Sequence, residues 1–233
     1  MNNTVPVLEF EIYLIRHGQS TANVGFVEPE KMKFEDKADP VLNENGALQA
    51  QMLGKFLSDV KFDRVYSSGL RRAVQTAYAV VMHQKESVPH LIYPLLTENG
   101  TGDDYPGASR EELNSISPGI ELIDEWDKSA PILYFNDYKD DPAHFRRAKE
   151  VVEYLRGHHG DGEKICVVSH AAFITFLVFH LMGHEKTPAF DVSFANTGIT
   201  KIEFYKPGTN KYGDVIFEYI NDTSHLPPDM RTK

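Results

Sequence analysis

Short apolar runs in β-favouring residues, each stopped by a polar turn and followed at once by helical spacing, constrain this chain more than any other feature. Ile12-Tyr13-Leu14-Ile15 and Ile165-Cys166-Val167-Val168 read as buried strands, with Arg64-Val65-Tyr66-Ser67 and Leu91-Ile92-Tyr93 as two more. Leu48, Met52, Leu53, Phe56, Leu57 and Val60 recur at helical spacing, which predicts a helix from an Asn43 cap to Lys61. Further helices are predicted from Leu70 to His83, from Pro142 to Arg156 and from Phe173 to Met182. Two last strands, Gly198 to Tyr205 and Val215 to Ile220, flank a turn region with Pro207-Gly208 and Tyr212-Gly213. Ser20-Thr21 predict the start of a short helix, Val24 to Pro40 a loop, and Leu226 to Lys233 a mobile tail. Strands alternating with helices predict a three-layer α/β/α fold around a mostly parallel sheet.

The 233 residues suit one domain, 1–233, and the charge pattern marks an insertion within it. Between Glu98 and Asp141 there are twelve acidic residues against three basic ones, a local −9 out of a net −10. Residues 99–141, rich in Gly, Pro and acid, therefore read as an acidic cap, with short helical pieces at Arg110 to Ile116 and Ile120 to Trp126. An acidic chain lacks the basic face that nucleic acid requires. No apolar run approaches the ~20 residues of a membrane span. Met1-Asn2-Asn3-Thr4 carries no basic region leading into an apolar segment, and the only cysteine, Cys166, sits in an apolar run as a core residue. These features favour a cytoplasmic protein. The sequence sets no oligomeric state.

Chemistry gathers where the strands stop. Ile15 passes into Arg16-His17-Gly18, Val168 into Ser169-His170, and Ser67 into Ser68-Gly69 at the head of a helix. The carboxyl ends of strands are where open α/β sheets bind ligands, and free N–H groups at a helix start favour anions.

The string Arg16-His17-Gly18 followed by Asn23 resembles the signature of the histidine phosphatase superfamily, the phosphoglycerate-mutase-like enzymes. Ser67-Ser68-Gly69-Leu70-Arg71-Arg72-Ala73-Val74-Gln75-Thr76-Ala77 resembles that family's Ser-Ser-x-Leu-x-Arg-Ala-x-Gln-Thr-Ala, which places the second phosphate arginine at Arg72 and turns Arg71 elsewhere. Val167-Val168-Ser169-His170 resembles the strand ending in Ser-His-Gly, with Ala171 in place of the glycine. A methyl group fits there while the backbone stays right-handed; otherwise it crowds the phosphate. Leu96-Thr97-Glu98 resembles the segment whose glutamate is the proton donor. The Trp-Glu-Gly that usually follows is replaced by Asp104-Tyr105-Pro106, so Asp103 or Asp104 competes with Glu98. Asn196-Thr197-Gly198-Ile199 resembles the family's entry into its late strand, whereas residues 99–141 resemble nothing in it.

The resemblance implies a phosphomonoester hydrolase working through a phosphohistidine on His17. Arg16, Arg72, His170 and Asn23 would hold the phosphate, with Ala171 beside it, and a backbone carbonyl, that of Gly18, would fix the His17 tautomer. Glu98 would protonate the leaving oxygen and then activate water, which implies an optimum on the acid side of neutrality. No cofactor and no metal is implied: His180 and His184 have i, i+4 spacing without the glutamate of a zinc peptidase helix. The partner is a small phosphorylated substrate. A phosphomutase of the phosphoglycerate type is the alternative, but its segment Glu-Arg-x-Tyr-Gly is here Glu98-Asn99-Gly100-Thr101-Gly102. A catalytically silent binding module on the same fold is a third reading. The acidic segment argues against polyanionic substrates, and its Trp126, Tyr134, Phe135 and Tyr138 either form its own core or line a pocket for an apolar moiety.

Overall fold

The computed structural model describes residues 5–25, 28–101 and 104–233. In chain order the elements are β1 (Leu8–Arg16), α1 (Phe34–Ala38), α2 (Glu44–Phe56), β2 (Arg64–Ser67), α3 (Arg71–Met82) and β3 (His90–Ile92). They continue with α4 (Arg110–Ile116), β4 (Glu121–Leu122), α5 (Asp141–His158), β5 (Glu163–Ser169), α6 (Ala171–Leu181), β6 (Ile199–Tyr205) and β7 (Val215–Asp222). The strands form one seven-stranded sheet in the order β4-β3-β2-β5-β1-β6-β7. Strands β1 to β5 pair in parallel, and β6 and β7 close one edge antiparallel.

Strand alternation explains the layers. Phe10, Ile12 and Leu14 of β1, with Ile165 and Val167 of β5, pack on Ala148, Val151 and Leu155 of α5 and on Phe173 and Leu177 of α6. Tyr13, Ile15, Cys166 and Val168 point the other way, onto Leu53 of α2 and Ala73, Ala77 and Val80 of α3. With both faces covered, the central strands must be apolar throughout, which is why their signal is strong. Cys166 is fully buried, and burial pushes its thiol up, away from thiolate chemistry. No helix among the described residues is long and apolar enough to cross a membrane.

Register sets the site. Arg16 lies opposite Ser169, Ile15 opposite Val168, and Val168 opposite Ser67, so three strands end side by side at one edge.

Several expectations are corrected. Helix α2 stops at Phe56 rather than Lys61, because Ser58 and Asp59 are poor helix formers and turn the chain. Ser20-Thr21 start a turn instead of a helix: Asn23 Oδ1 accepts from Ser20 N and Oγ, at 2.9 and 3.1 Å. The segment read as a loop contains α1, which Arg71 of α3 pins through Glu35 O and Asp36. Ile120 to Trp126 is not helical; Glu121–Leu122 add a strand beside β3, whose open edge supplies the hydrogen bonds. The tail is anchored: Gln49 Nε2 donates to Met230 O at 2.7 Å, Asn196 N to Thr232 O at 2.9 Å, and Leu226 is buried.

The acidic segment is built onto α3 and β3. Tyr105, Ala108, Leu113, Leu122, Ile132 and Leu133 pack with Leu70, Val74 and Ile92.

Candidate active site

As β1 ends, Arg16 and His17 are held by their neighbours: His17 N donates to Ser169 O at 3.0 Å and Thr197 N to Arg16 O at 3.0 Å. The loop then runs beneath the start of α2 at a spacing only glycine allows. A Cβ on Gly46 would lie 1.9 Å from Gln19 O, and one on Gly18 would lie 2.7 Å from Gly46 O. Gly18 N donates to Thr76 Oγ1 of α3 at 3.0 Å, and Gln19 N to Gln49 Oε1 of α2 at 2.8 Å. Two helices thereby hold the His17 backbone rigid.

His17 is 3 % exposed. Its Nδ1–H donates to Gly18 O at 2.6 Å, and its Nε2 accepts from Arg72 Nε at 3.2 Å. One tautomer satisfies both bonds, and it presents the Nε2 lone pair to the site. Burial first, then the charges of Arg72 and Arg16, push the imidazole well below its usual value, and the Gly18 carbonyl opposes them only in part. His17 is therefore a neutral base.

His170 caps α6 from the end of β5, with its ring centroid 5.0 Å from that of His17. Its Nε2 pairs with Ser68 Oγ at 2.6 Å, and that oxygen also accepts from Leu70 N at 3.3 Å. With the Ser68 hydroxyl donating to Nε2, Nδ1 carries a proton and has no partner among the described residues. Burial, followed by Arg72, His17, Arg16 and Arg147, keeps this ring neutral as well.

Arg16 donates through Nη1 to Phe194 O at 2.7 Å, leaving a buried Nε without a partner among the described residues. Arg72 lies on the first turn of α3; its Nη1 is buried, makes no hydrogen bond among the described residues and lies 3.7 Å from Asp39 Oδ1. Burial lowers both arginines, and the charge of Arg72 adds to the effect on Arg16. Buried donors without partners are rare in native proteins. Here three such atoms without a partner among the described residues, Arg16 Nε, Arg72 Nη1 and His170 Nδ1, belong to the side chains whose charges or ring bear on His17, while the carboxylates of Glu98 and Asp39 oppose the arginines.

Glu98 follows a short 3-10 turn after β3 and is half-buried. Its Oε1 accepts from Asn99 N at 2.9 Å and from Phe173 N, in the first turn of α6, at 3.2 Å. The charges of Arg16, Arg72 and Arg147 all face it. Asp104 is exposed and lines the same cavity of about 480 Å³ as Arg72 and Glu98, together with Lys37 and Tyr105. Asp103 and Gly102 lie outside the described residues. Asn23 sits in an exposed turn with its carbonyl taken up by Ser20, so its amide N–H group is what it can offer an anion. Ala171 is the first residue of α6, in right-handed backbone that accepts its methyl group.

Beside Arg16 opens a second cavity of about 680 Å³, lined by Ala171, Phe176, Phe179, Val192 and Phe194, with Tyr138 also on its wall. Of Trp126, Tyr134, Phe135 and Tyr138, only Tyr138 lines it, at 65 % exposure. Trp126, Tyr134 and Phe135 pack against the core clusters.

Two contributors were not found by the motifs. Asp39 is fully buried; its carboxylate accepts from Arg71 N at 3.0 and 3.1 Å and from Tyr105 OH at 3.3 Å, beside Arg72. It lies in a segment without periodicity and carries no sequence signal. Arg147, 1 % exposed, donates to Thr97 O and to Asn99 Oδ1 on either side of Glu98. It had a signal: it falls on the buried stripe of α5 with Ala148, Val151 and Leu155.

The sequence model of the histidine phosphatase superfamily (branch 1) matches residues 12–212. A broad-specificity phosphatase of Saccharomyces cerevisiae is 26 % identical over 223 residues, covering 92 % of this chain and 86 % of that protein. A 2,3-bisphosphoglycerate-dependent phosphoglycerate mutase of Bartonella henselae is 28 % identical over 179 residues, 76 % of this chain and 83 % of its own. Among solved structures, YhfR of Bacillus stearothermophilus superposes with a TM-score of 0.61 at 24 % identity, covering 93 % of this chain and 98 % of its own; this likeness concerns the fold.

Proposed function

Because the chain belongs to the histidine phosphatase superfamily (branch 1), we propose that it is a metal-independent phosphomonoester hydrolase that forms a phosphohistidine on His17. The observation that carries this reading is the set of buried donors without a partner among the described residues, Arg16 Nε, Arg72 Nη1 and His170 Nδ1, on side chains that bear on a neutral His17. A phosphoryl group offers three non-bridging oxygens to such donors, and its transfer is promoted mainly by positioning and charge stabilisation.

In the first step Arg72 Nε–H turns from His17 Nε2 to a phosphoryl oxygen. The freed Nε2 lone pair forms a bond to phosphorus while the bond to the leaving oxygen breaks, and the Glu98 carboxyl gives that oxygen its proton. The ring becomes positively charged, and Gly18 O stabilises it through Nδ1–H. In the second step the Glu98 carboxylate takes a proton from water, the water oxygen bonds to phosphorus, and the P–N bond breaks to restore neutral His17. Arg16 and Arg72 hold the oxygens throughout, with His170 and Asn23 as further donors and Ala171 at the rim. Glu98 is preferred over Asp104 as the acid because it is held by two backbone N–H groups, whereas Asp104 is exposed.

Hydrolase is preferred over mutase, although the family contains both. A mutase must bind a small bisphosphorylated carboxylate, and the cavity walls set the carboxylates of Asp104, Asp141 and Asp191 against only Lys37 and Lys233 beyond the two site arginines. Residues 99–141 act as a cap over one 1–233 domain and disfavour polyanions. The apolar wall beside Arg16 suits a monophosphate with an uncharged organic part.

The test is hydrolysis of p-nitrophenyl phosphate in excess chelator by the wild type and by His17→Ala. Activity that survives the chelator and is lost in the variant supports the reading; equal activity in both overturns it.

A further inference from the structure

Arg147 reaches from α5 to the peptides on both sides of Glu98. Its Nη1 donates to Thr97 O at 2.9 Å and its Nη2 to Asn99 Oδ1. Its guanidinium carbon lies 4.0 Å from the centroid of the Phe173 ring and 5.2 Å from that of Tyr134. Phe173 N and Asn99 N are the two donors that hold Glu98 Oε1. One side chain thus touches every residue that fixes the Glu98 carboxylate.

Such an arrangement is costly for a structural tie alone. A guanidinium buried away from any direct carboxylate partner loses its hydration, and Arg147 Nε also lacks a hydrogen bond among the described residues. The strain on its charge is visible: burial pushes Arg147 down to about 10, and the opposing charge of Glu98 is the largest effect holding it up. Neutral side chains could close the same loop. What the arginine adds is a rigid fork and a fixed positive charge close to a carboxyl group that, on the reading above, alternates between acid and carboxylate.

We propose that Arg147 is a positioning residue for proton transfer, holding Glu98 where it can protonate the leaving oxygen of an alkyl phosphate. The inference rests on the reading of Glu98 as the proton donor. It also predicts which substrates depend on Arg147. An alkoxide leaves poorly and needs the proton, whereas nitrophenolate is stable enough to leave without it.

The experiment compares kcat/KM for p-nitrophenyl phosphate and for n-butyl phosphate in wild type, Glu98→Gln, Arg147→Lys and Arg147→Gln. This quantity runs only to the first irreversible step, so the later attack of water does not enter it. The readout is the ratio of the two kcat/KM values, which cancels any loss of folded or active protein. General acid catalysis contributes about 10²–10⁴-fold. The butyl-to-nitrophenyl ratio should therefore fall about 100-fold in Glu98→Gln and at least about 10-fold in Arg147→Gln. Arg147→Lys keeps the charge but cannot bridge both acceptors, and should fall between Arg147→Gln and wild type. If Arg147→Gln does not fold, Arg147→Lys alone decides the matter. In a Glu98→Gln background Arg147→Lys should lower the ratio no further, because the two act as one unit. Unchanged ratios in both Arg147 variants, beside a reduced ratio in Glu98→Gln, would overturn the role of Arg147. An unchanged ratio in Glu98→Gln itself would overturn Glu98 as the donor, and the inference with it.

Discussion

Arg72 Nε donates to His17 Nε2 at 3.2 Å, so the arginine proposed to bind phosphate and the histidine proposed as nucleophile share one hydrogen bond. The contact demands a lone pair on Nε2 and therefore the Nδ1–H tautomer, the same one that the Gly18 carbonyl selects. On the proposed mechanism Arg72 selects the tautomer before substrate binds and then turns its Nε–H from the Nε2 lone pair to a phosphoryl oxygen. Lysine keeps the charge but loses the planar fork that serves both tasks. Arg72→Lys should lower kcat/KM for p-nitrophenyl phosphate by about 10²-fold or more, with kcat falling as well as KM rising. A rise in KM alone would confine Arg72 to ground-state binding.

Asp39 holds Arg72 from behind. Its carboxylate is fully buried and spends its hydrogen bonds on Arg71 N and Tyr105 OH, while burial raises its pKa against the pull of Arg72 and Arg71. Asp39→Ala leaves the Arg71 N–H without its acceptor and the Arg72 guanidinium without the opposing charge 3.7 Å away. Unfolding free energy should fall by about 1–3 kcal/mol, and kcat/KM should fall about 10-fold in the protein that remains folded. Urea titration and an assay below the transition check the two effects separately. Wild-type activity in a destabilised variant would confine Asp39 to stability.

The contrast between these two residues explains what could be read from the sequence. Arg16 ends β1, and His17 and His170 directly follow β1 and β5, where apolar runs draw attention to them. Arg72 on the first turn of α3 and Glu98 beyond a 3-10 turn were legible only through the resemblance to the family's motifs. The sheet was legible for the same reason: burial on both faces makes its strands continuous in apolar residues. Asp39 sits in a stretch with no period, and only Arg71, distant in sequence, gives it shape. The two-residue strand Glu121–Leu122 was hidden likewise, since the edge of β3 creates it and its own residues do not. The anchored tail depends on Gln49 and Asn196, and no local pattern encodes such distant bonds.

Ala171 departs from the glycine of the motif without departing from its geometry. It begins α6 in right-handed backbone, and its methyl group faces the cavity beside Arg16. Ala171→Gly should leave kcat/KM for p-nitrophenyl phosphate within about threefold of wild type and lower stability by at most about 1 kcal/mol. A large gain in rate in Ala171→Gly would mean that the methyl group does crowd the phosphate.

Trp126 and Tyr138 separate scaffold from pocket within one acidic segment. Trp126 packs on the core and donates Nε1–H to Pro131 O at 3.0 Å. Tyr138 is 65 % exposed on the cavity wall. Trp126→Ala should lower stability by about 2–3 kcal/mol while leaving KM near wild type. Tyr138→Ala should do the reverse, with little effect on stability and a severalfold rise in KM for aryl phosphates over small alkyl phosphates. Equal KM values for every substrate in Tyr138→Ala would remove this wall from substrate recognition.

Acid stability follows from histidines that the fold keeps neutral. His90 is bonded on both ring nitrogens, to Ser67 Oγ at 2.9 Å and Ser117 Oγ at 2.8 Å, and burial pushes it down from 6.5 to about 3. Between these values the unfolded chain takes up a proton that the folded chain refuses, so the unfolded state binds more protons and stability rises with pH. The contribution of His90 is complete above pH ~6.5 and is lost progressively as pH falls toward about 3, by at most ~1.4 kcal/mol per pH unit. His17 and His170 shift in the same direction and add to the slope. Denaturant unfolding at pH 7, 5.5 and 4.5 should therefore give a steep decline for wild type and a shallower one for His90→Gln, which has no imidazole to protonate. Parallel declines would mean that His90 accepts its proton inside the fold, with Ser67 and Ser117 turning their hydroxyl oxygens toward an imidazolium.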